Sequence, residues 1–193
     1  MTGWWAAAFV AQWVLVIALC VVVLALARQV GTLHLRLGPR GPLELAEEGP
    51  PLGEAPMPTE AATMEGETRV VGGPGDGQFL LFVSPTCPIC DTVLPSLPAV
   101  ASVGHIEPIV IADIEPRGAR KALRDKRIEA PVIPAPSLVE LYGVPGVPYA
   151  VVLDDRGVVL AKGTVNNLEQ MEEMVDMATV RRSQDPRLEE RIG

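Results

Sequence analysis

The chain has 193 residues, enough for one domain with accessory segments, and 48% of them are apolar. Sixteen Lys and Arg against 24 Asp and Glu leave a net charge of −8, which excludes the basic footprint of a nucleic-acid binder. Three cysteines and two histidines are too few for a disulfide-stapled scaffold.

Trp4 to Ala27 is a run of 24 residues with no charge and a single amide, Gln12. At 1.5 Å per residue, a helix of that length crosses a hydrocarbon core of roughly 30 Å. Trp4 and Trp5 suit an interfacial anchor, and Arg28 ends the run. No Lys or Arg precedes the run, and no Ala-x-Ala-like site follows it, so an uncleaved single-span anchor is expected rather than a signal peptide. Residues 4–27 are thus expected to contact the lipid bilayer. Arg28, Arg36 and Arg40 follow the span, and the positive-inside rule alone places the downstream domain in the cytoplasm.

Residues 29–67 read as a tether. From Gly41 to about Gly66 the chain is rich in Pro, Gly and Glu and lacks the apolar content to bury a core. Residues 68–182 read as the globular domain and 183–193 as a charged tail. Within the domain, Thr68 to Val71 is a short strand and Gly72 to Gly77 a turn cluster. Gln78 to Val83 is nearly all apolar, as a strand covered on both faces requires. Cys87 to Val103 has helical spacing, with Pro95 and Pro98 set to kink it or end it early. Pro108 to Ile114 is the next strand. Pro116 to Ile128 is a basic amphipathic helix, read as a solvated face rather than a binding site. Ser137 to Tyr142 is a short helix. Tyr149 to Leu153 and Val158 to Ala161 form a hairpin around Asp154-Asp155-Arg156-Gly157. Asn166 or Asn167 caps a last helix with the stripe Leu168, Met171, Met174, Val175 and Ala178. The order, βαβ followed by ββα, predicts an α/β sandwich around one sheet.

The chemistry concentrates in Cys87-Pro88-Ile89-Cys90, at the junction of the central strand and the following helix. A thiolate at a helix start lies against unpaired backbone N–H groups, which lowers its pKa below the free value of about 8.5. Cys87 is therefore the expected nucleophile, and Cys90, three positions on, the resolving thiol that closes a redox disulfide with it. Pro88 occupies a first-turn position where its missing N–H costs nothing. A zinc or iron–sulfur site needs about four ligands, and His34 and His105 are remote in sequence from the two thiols. Haem attachment needs a His directly after the second Cys, where Asp91 stands. No metal and no cofactor are expected. A structural disulfide or plain core thiols is the bland alternative, and Cys20, inside the apolar run, is assigned to a packing or lipid-facing role rather than redox. Val147-Pro148 precedes an apolar strand, where a proline costs no ladder bond, and a cis bond there would turn the chain toward the thiols.

These features together resemble the thioredoxin fold over about residues 68–180. They include the central strand, the Cys-x-x-Cys motif, Pro95, and Tyr142-Gly143-x-x-Gly146-Val147-Pro148. The resemblance implies that Pro148 is cis and faces the cysteines. It also implies that Val147, Pro88 and Ile89 line a groove for the substrate chain. More narrowly, Ala27-Arg28-Gln29 after the anchor, Ser84-Pro85-Thr86-Cys87-Pro88-Ile89-Cys90, and Pro148-Tyr149-Ala150-Val151 resemble the MauD family of methylamine utilisation proteins. That resemblance implies a membrane-anchored thiol–disulfide oxidoreductase that forms or isomerises disulfides in the disulfide-rich small subunit of methylamine dehydrogenase. An unidentified redox partner would recharge it. Such work belongs outside the cytoplasm, so the domain is expected in the periplasm at the inner membrane, against the charge rule. Two alternatives fit the same motif: a periplasmic reductant of the cytochrome c maturation type, and a tethered binding or chaperone module with incidental thiols.

The chain departs from ordinary thioredoxins at two places. Leu81 stands where they carry a buried Asp, and Thr86 where they carry a Trp. The spacing from Cys90 to Pro148 is also long, which implies an inserted segment around Arg127 to Pro136.

Overall fold

The computed structural model describes residues 3–36, 48–104 and 106–184. The chain divides into two compact units, Met1–Arg40 and Gly41–Gly193, each described by itself. The first is helix α1 (Gly3–Arg36). Its stretch Gly3–Val23, 21 residues, is long and apolar enough to cross a membrane, and fits a membrane anchor. Trp4 and Trp5 are exposed near its start, and Phe9 and Trp13 meet edge to face, their ring centroids 6.2 Å apart.

The second unit is built on a five-stranded sheet in the order β5-β4-β3-β6-β7. In chain order its elements begin with a hairpin, β1 (Thr59–Ala62) and β2 (Thr68–Val71). Then come β3 (Gln78–Val83), α2 (Cys90–Val93), a 3-10 turn (Leu94–Ser96) and α3 (Leu97–Gly104). They are followed by β4 (Glu107–Ala112), α4 (Pro116–Ala122), β5 (Val132–Pro134) and α5 (Pro136–Leu141). Last are β6 (Tyr149–Leu153), β7 (Val159–Thr164) and α6 (Leu168–Ser183). β3, β4 and β5 are parallel, and β6 and β7 are antiparallel to their neighbours. This is the thioredoxin-like α/β sandwich.

β3 is central because both of its faces are apolar. Phe79, Leu81 and Val83 point into a core shared with Val93, Leu97, Val100, Met171, Met174 and Val175. Leu80 and Phe82 point the other way, into a core with Ile109, Ile111, Tyr142, Tyr149 and Val151. The alternation is the two-residue period of a strand. Each such side chain, fully buried, contributes about 1.5–3 kcal/mol. α6 packs its expected stripe against the first of these cores. Asn167 caps it, accepting the Gln170 N–H at 2.9 Å, while Gln170 Oε1 accepts the Asn166 N–H at 2.7 Å. The reciprocal pair behaves as a capping box shifted by one residue.

Three expectations change. The segment 29–67, read as a tether, is not free over its second half. Gly53 and Glu54 exchange backbone hydrogen bonds with Val159 at the sheet edge, each at 2.9 Å. The Glu48 carbonyl accepts from Lys162 Nζ at 2.6 Å and from Tyr149 Oη at 3.2 Å. Strand β1 then pairs with β2, and the Met64 N–H reaches the Val132 carbonyl at 2.8 Å. A segment without a core of its own thus covers both sheet edges, where unpaired backbone groups await partners. The basic helix ends at Ala122, six residues before Ile128, because Leu123 leaves helical geometry at φ −105°, ψ 2°. The helix expected from Cys87 breaks into α2, the 3-10 turn and α3, with Pro95 early in the 3-10 turn and Pro98 early in α3. Both prolines occupy first-turn positions, where no intrahelical N–H is required. Most of the expected charged tail, 185–193, lies outside the described residues, as does His105.

Candidate active site

β3 ends at Val83 and hands the chain to Ser84, whose carbonyl accepts the Cys87 N–H at 3.1 Å. Ser84 Oγ and Thr86 Oγ1 lie 3.2 Å apart and brace the same turn. Cys87 and Cys90 are joined as a disulfide with their Cα atoms 5.3 Å apart. The two sulfurs are unequally placed. Cys87 is partly exposed, whereas Cys90 is fully buried in the core that also holds Leu81 and Val93. Pro88 and Ile89, between them, are exposed. Ile89 keeps 47% of its surface in the open, an apolar rim around the reachable sulfur.

Helix α2 begins at Cys90, not at Cys87, and is only four residues long. The expected support of a long helix dipole therefore shrinks to a local contact. The Cys90 N–H points at Cys87 Sγ, 3.2 Å away. An amide donor at that distance favours the thiolate of Cys87 whenever the disulfide is open.

The second wall of the site comes from the sheet register. Phe82 of β3 pairs with Tyr149 of β6. The next residues along, Val83 and Pro148, therefore meet at the same end of the sheet, beside the disulfide loop. The Val147–Pro148 bond is cis, and the Val147 carbonyl oxygen is 3.7 Å from Cys87 Sγ. Pro148 is buried and Val147 partly so. Cys87, Pro88, Ile89, Cys90, Val147 and Pro148 thus gather at one place, though Cys90 and Val147 are far apart in sequence.

Leu81 is fully buried in the core that also holds Cys90. One feature near the disulfide is invisible in the sequence. Asp91, directly after Cys90, forms an ion pair with Lys126, 35 positions on. The Lys126 side chain is 13% exposed and that of Asp91 52%. Nothing in the spacing signals it, because the loop after α4 makes the contact. Among the described residues no group of three or more His, Cys, Asp and Glu side chains gathers to hold a metal ion.

No protein-family model matches the chain. Over 168 residues it is 33% identical to the methylamine utilization protein MauD of Methylophilus methylotrophus, covering 85% of this chain and 79% of that protein. Over 180 residues it is 30% identical to the MauD protein of Paracoccus denitrificans, covering 91% and 90%. Two solved structures share the fold. A candidate thiol:disulfide interchange protein DsbE of Chlorobium tepidum matches with a TM-score of 0.57 and 20% identity, over 68% of this chain and 98% of that one. The thioredoxin domain of a thiol-disulfide oxidoreductase of Bacteroides vulgatus matches with a TM-score of 0.54 and 14% identity, over 65% and 95%. At those identities the structural likeness speaks for the fold alone. The sequence relatives speak for more, and the chain belongs to the MauD family of methylamine utilization proteins.

Proposed function

We propose that this protein is a membrane-anchored thiol–disulfide oxidoreductase, acting in the periplasm, that forms or rearranges disulfides in the small subunit of methylamine dehydrogenase. The observation that carries the reading is the unequal pair. Cys87 is within reach of solvent, with an amide N–H on its sulfur, and Cys90 is sealed behind it. In the oxidising direction a substrate thiolate attacks Cys87 Sγ. A mixed disulfide forms, the Cys87–Cys90 bond breaks, and Cys90 leaves as a thiolate that takes up a proton. A second substrate thiolate attacks the substrate sulfur and releases the Cys87 thiolate. Two electrons pass to the protein, and a redox partner must remove them. Run backwards, the same steps reduce a substrate disulfide. In isomerisation the Cys87 thiolate opens one substrate disulfide, the freed substrate thiolate exchanges with another, and a substrate thiolate then attacks the mixed disulfide and releases Cys87, with no net transfer of electrons. Ile89 and the Val147 carbonyl flank Cys87 and are the groups a bound substrate chain meets first.

The test is a Cys90→Ser variant, which keeps the attacking thiol and removes the one that resolves. It should accumulate a mixed disulfide through Cys87 whose partner, identified by mass spectrometry, is the dehydrogenase small subunit. A Cys87→Ser variant that still supports assembly of an active dehydrogenase sinks the proposal. The reduction potential sets direction: near −120 mV the pair is an oxidant, near or below about −270 mV a reductant.

A further inference from the structure

Asp91 directly follows Cys90, and the fold sets the Lys126 ammonium against its carboxylate. The pair lines a cleft of about 440 Å³, to which Pro85, Asp125 and Arg127 also contribute. Its charged residues are two of each sign, Asp91 and Asp125 against Lys126 and Arg127, so the cleft as a whole offers no net charge to a ligand. What matters is where one of these charges stands. The Cα atoms of Cys87 and Cys90 are 5.3 Å apart, and one more residue adds at most about 3.8 Å. The Asp91 Cα is therefore within about 9 Å of the Cys87 Cα. That is close to the distance, about 10 Å, over which 0.1 M salt screens a charge.

The groups in contact with Cys87 Sγ are uncharged: the Cys90 N–H at 3.2 Å and the Val147 carbonyl oxygen at 3.7 Å. Asp113, exposed just past the end of β4, stands at the same end of the sheet, its N–H on the Val83 carbonyl at 2.8 Å. An anion near a thiol disfavours the thiolate, and a cation favours it. Asp91 alone would therefore work against Cys87, in a chain whose net charge is already −8. Held as a close pair, the Asp91 and Lys126 charges largely cancel at the sulfur. The Lys126 side chain is only 13% exposed, so its ammonium is committed to this place by the protein around it.

We propose that Lys126 is a positioning residue for the redox pair: it holds the Asp91 carboxylate and cancels its charge, so that the Cys87 thiolate forms without an opposing anion beside it. Lys126 touches no reacting atom and acts through Asp91. The use of that thiolate in disulfide exchange rests on the proposed oxidoreductase reading, whereas the effect on Cys87 ionisation stands without it.

The experiment uses the full chain in phosphatidylcholine nanodiscs, with Cys20→Ala and Cys90→Ala leaving Cys87 as the one thiol of the three. Rates of alkylation by iodoacetamide across a range of pH, read by mass spectrometry, give the ionisation midpoint of Cys87. A unit charge about 8–9 Å away, at an effective dielectric of about 40–80, changes the ionisation constant about two- to fivefold, a midpoint shift of about 0.3–0.7 pH unit. Lys126→Gln should raise the midpoint by that amount, and Asp91→Asn should lower it. Lys126→Arg keeps the charge and should stay near the parent, as should Lys126→Gln combined with Asp91→Asn. Salt at about 1 M should shrink both single shifts. Shifts below about 0.3 unit, or two single variants that move the midpoint the same way, overturn the proposal. A pair that merely ties two segments together loosens alike whichever partner is lost, so it predicts shifts of one sign. Separately, the chain carrying Cys20→Ala alone is reduced and mixed with glutathione disulfide. Closure of the Cys87–Cys90 disulfide passes two electrons to the glutathione disulfide and yields two glutathione thiols. Failure to close overturns the oxidoreductase reading, while the midpoints alone decide the role of Lys126.

Discussion

Replacing Tyr142 by Phe should make the protein more stable. Tyr142 is 1% exposed, and its ring lies 5.3 Å from that of Phe82. Its hydroxyl is buried without a hydrogen-bond partner. A buried hydroxyl that makes no bond costs its desolvation and returns nothing, about 1–3 kcal/mol. Phe keeps the ring, the packing and the volume, so the expected gain is about 1 kcal/mol or more, a rise in Tm of about 3–5 °C. The pH dependence sharpens the test. Burial pushes the Tyr142 phenol up from 10.0 to about 12. Below pH 10 both the folded and unfolded phenols are protonated. Between 10 and 12 the unfolded phenol ionises first, so unfolding releases a proton and stability falls as pH rises. At pH 11 that loss is about 1.4 kcal/mol, and the Phe variant is spared it. Urea unfolding of the full chain in detergent, followed by near-ultraviolet dichroism at pH 8 and pH 11, gives the two differences. A Tyr142→Phe variant less stable than the parent at pH 8, with a gap unchanged at pH 11, would refute the reasoning. Tyr142 also stands just before Gly143 to Val147, the loop that brings the Val147 carbonyl to Cys87, so stiffness at one end bears on geometry at the other.

Two further substitutions test the framework. Asn167→Ala removes the side chain that accepts the Gln170 N–H at the start of α6. It should cost about 1 kcal/mol in the same unfolding assay, with the Cys87–Cys90 exchange rate unmoved. Gly157→Ala should cost at least about 2 kcal/mol. Gly157 sits at φ +80°, and a Cβ there runs into the backbone of Gly73. A drop in melting temperature of less than 2 °C would count against that reading.

The strands that carry the site were legible because burial on both sides leaves a plain mark. The six residues from Gln78 to Val83 and the five from Tyr149 to Leu153 read as strands and are strands with those bounds. The two thiols and Pro148 were legible through residue chemistry and family likeness. Their assembly was not, since it depends on the pairing of Phe82 with Tyr149. Two strands escaped the sequence. β5 is three residues long and bounded by Pro131 and Pro136, so no alternation can develop. β1, Thr-Glu-Ala-Ala, has little strand preference and exists because β2 offers it a partner. Likewise the helix start at Cys90 rather than Cys87 follows from a turn closed between Cys87 and Ser84, a local competition that spacing does not reveal.

The lacing of residues 48–54 along β7 has a mechanical side. Among the described residues, this segment is held at the Glu48 carbonyl, by Lys162 and Tyr149, and again by the paired bonds between Gly53, Glu54 and Val159. β6 stands between β7 and β3, the strand from which the disulfide loop springs. Tyr149, one of the two groups that hold Glu48, follows Pro148 directly and pairs with Phe82, so the hold on residues 48–54 reaches the strand that sets the Val147 carbonyl against Cys87.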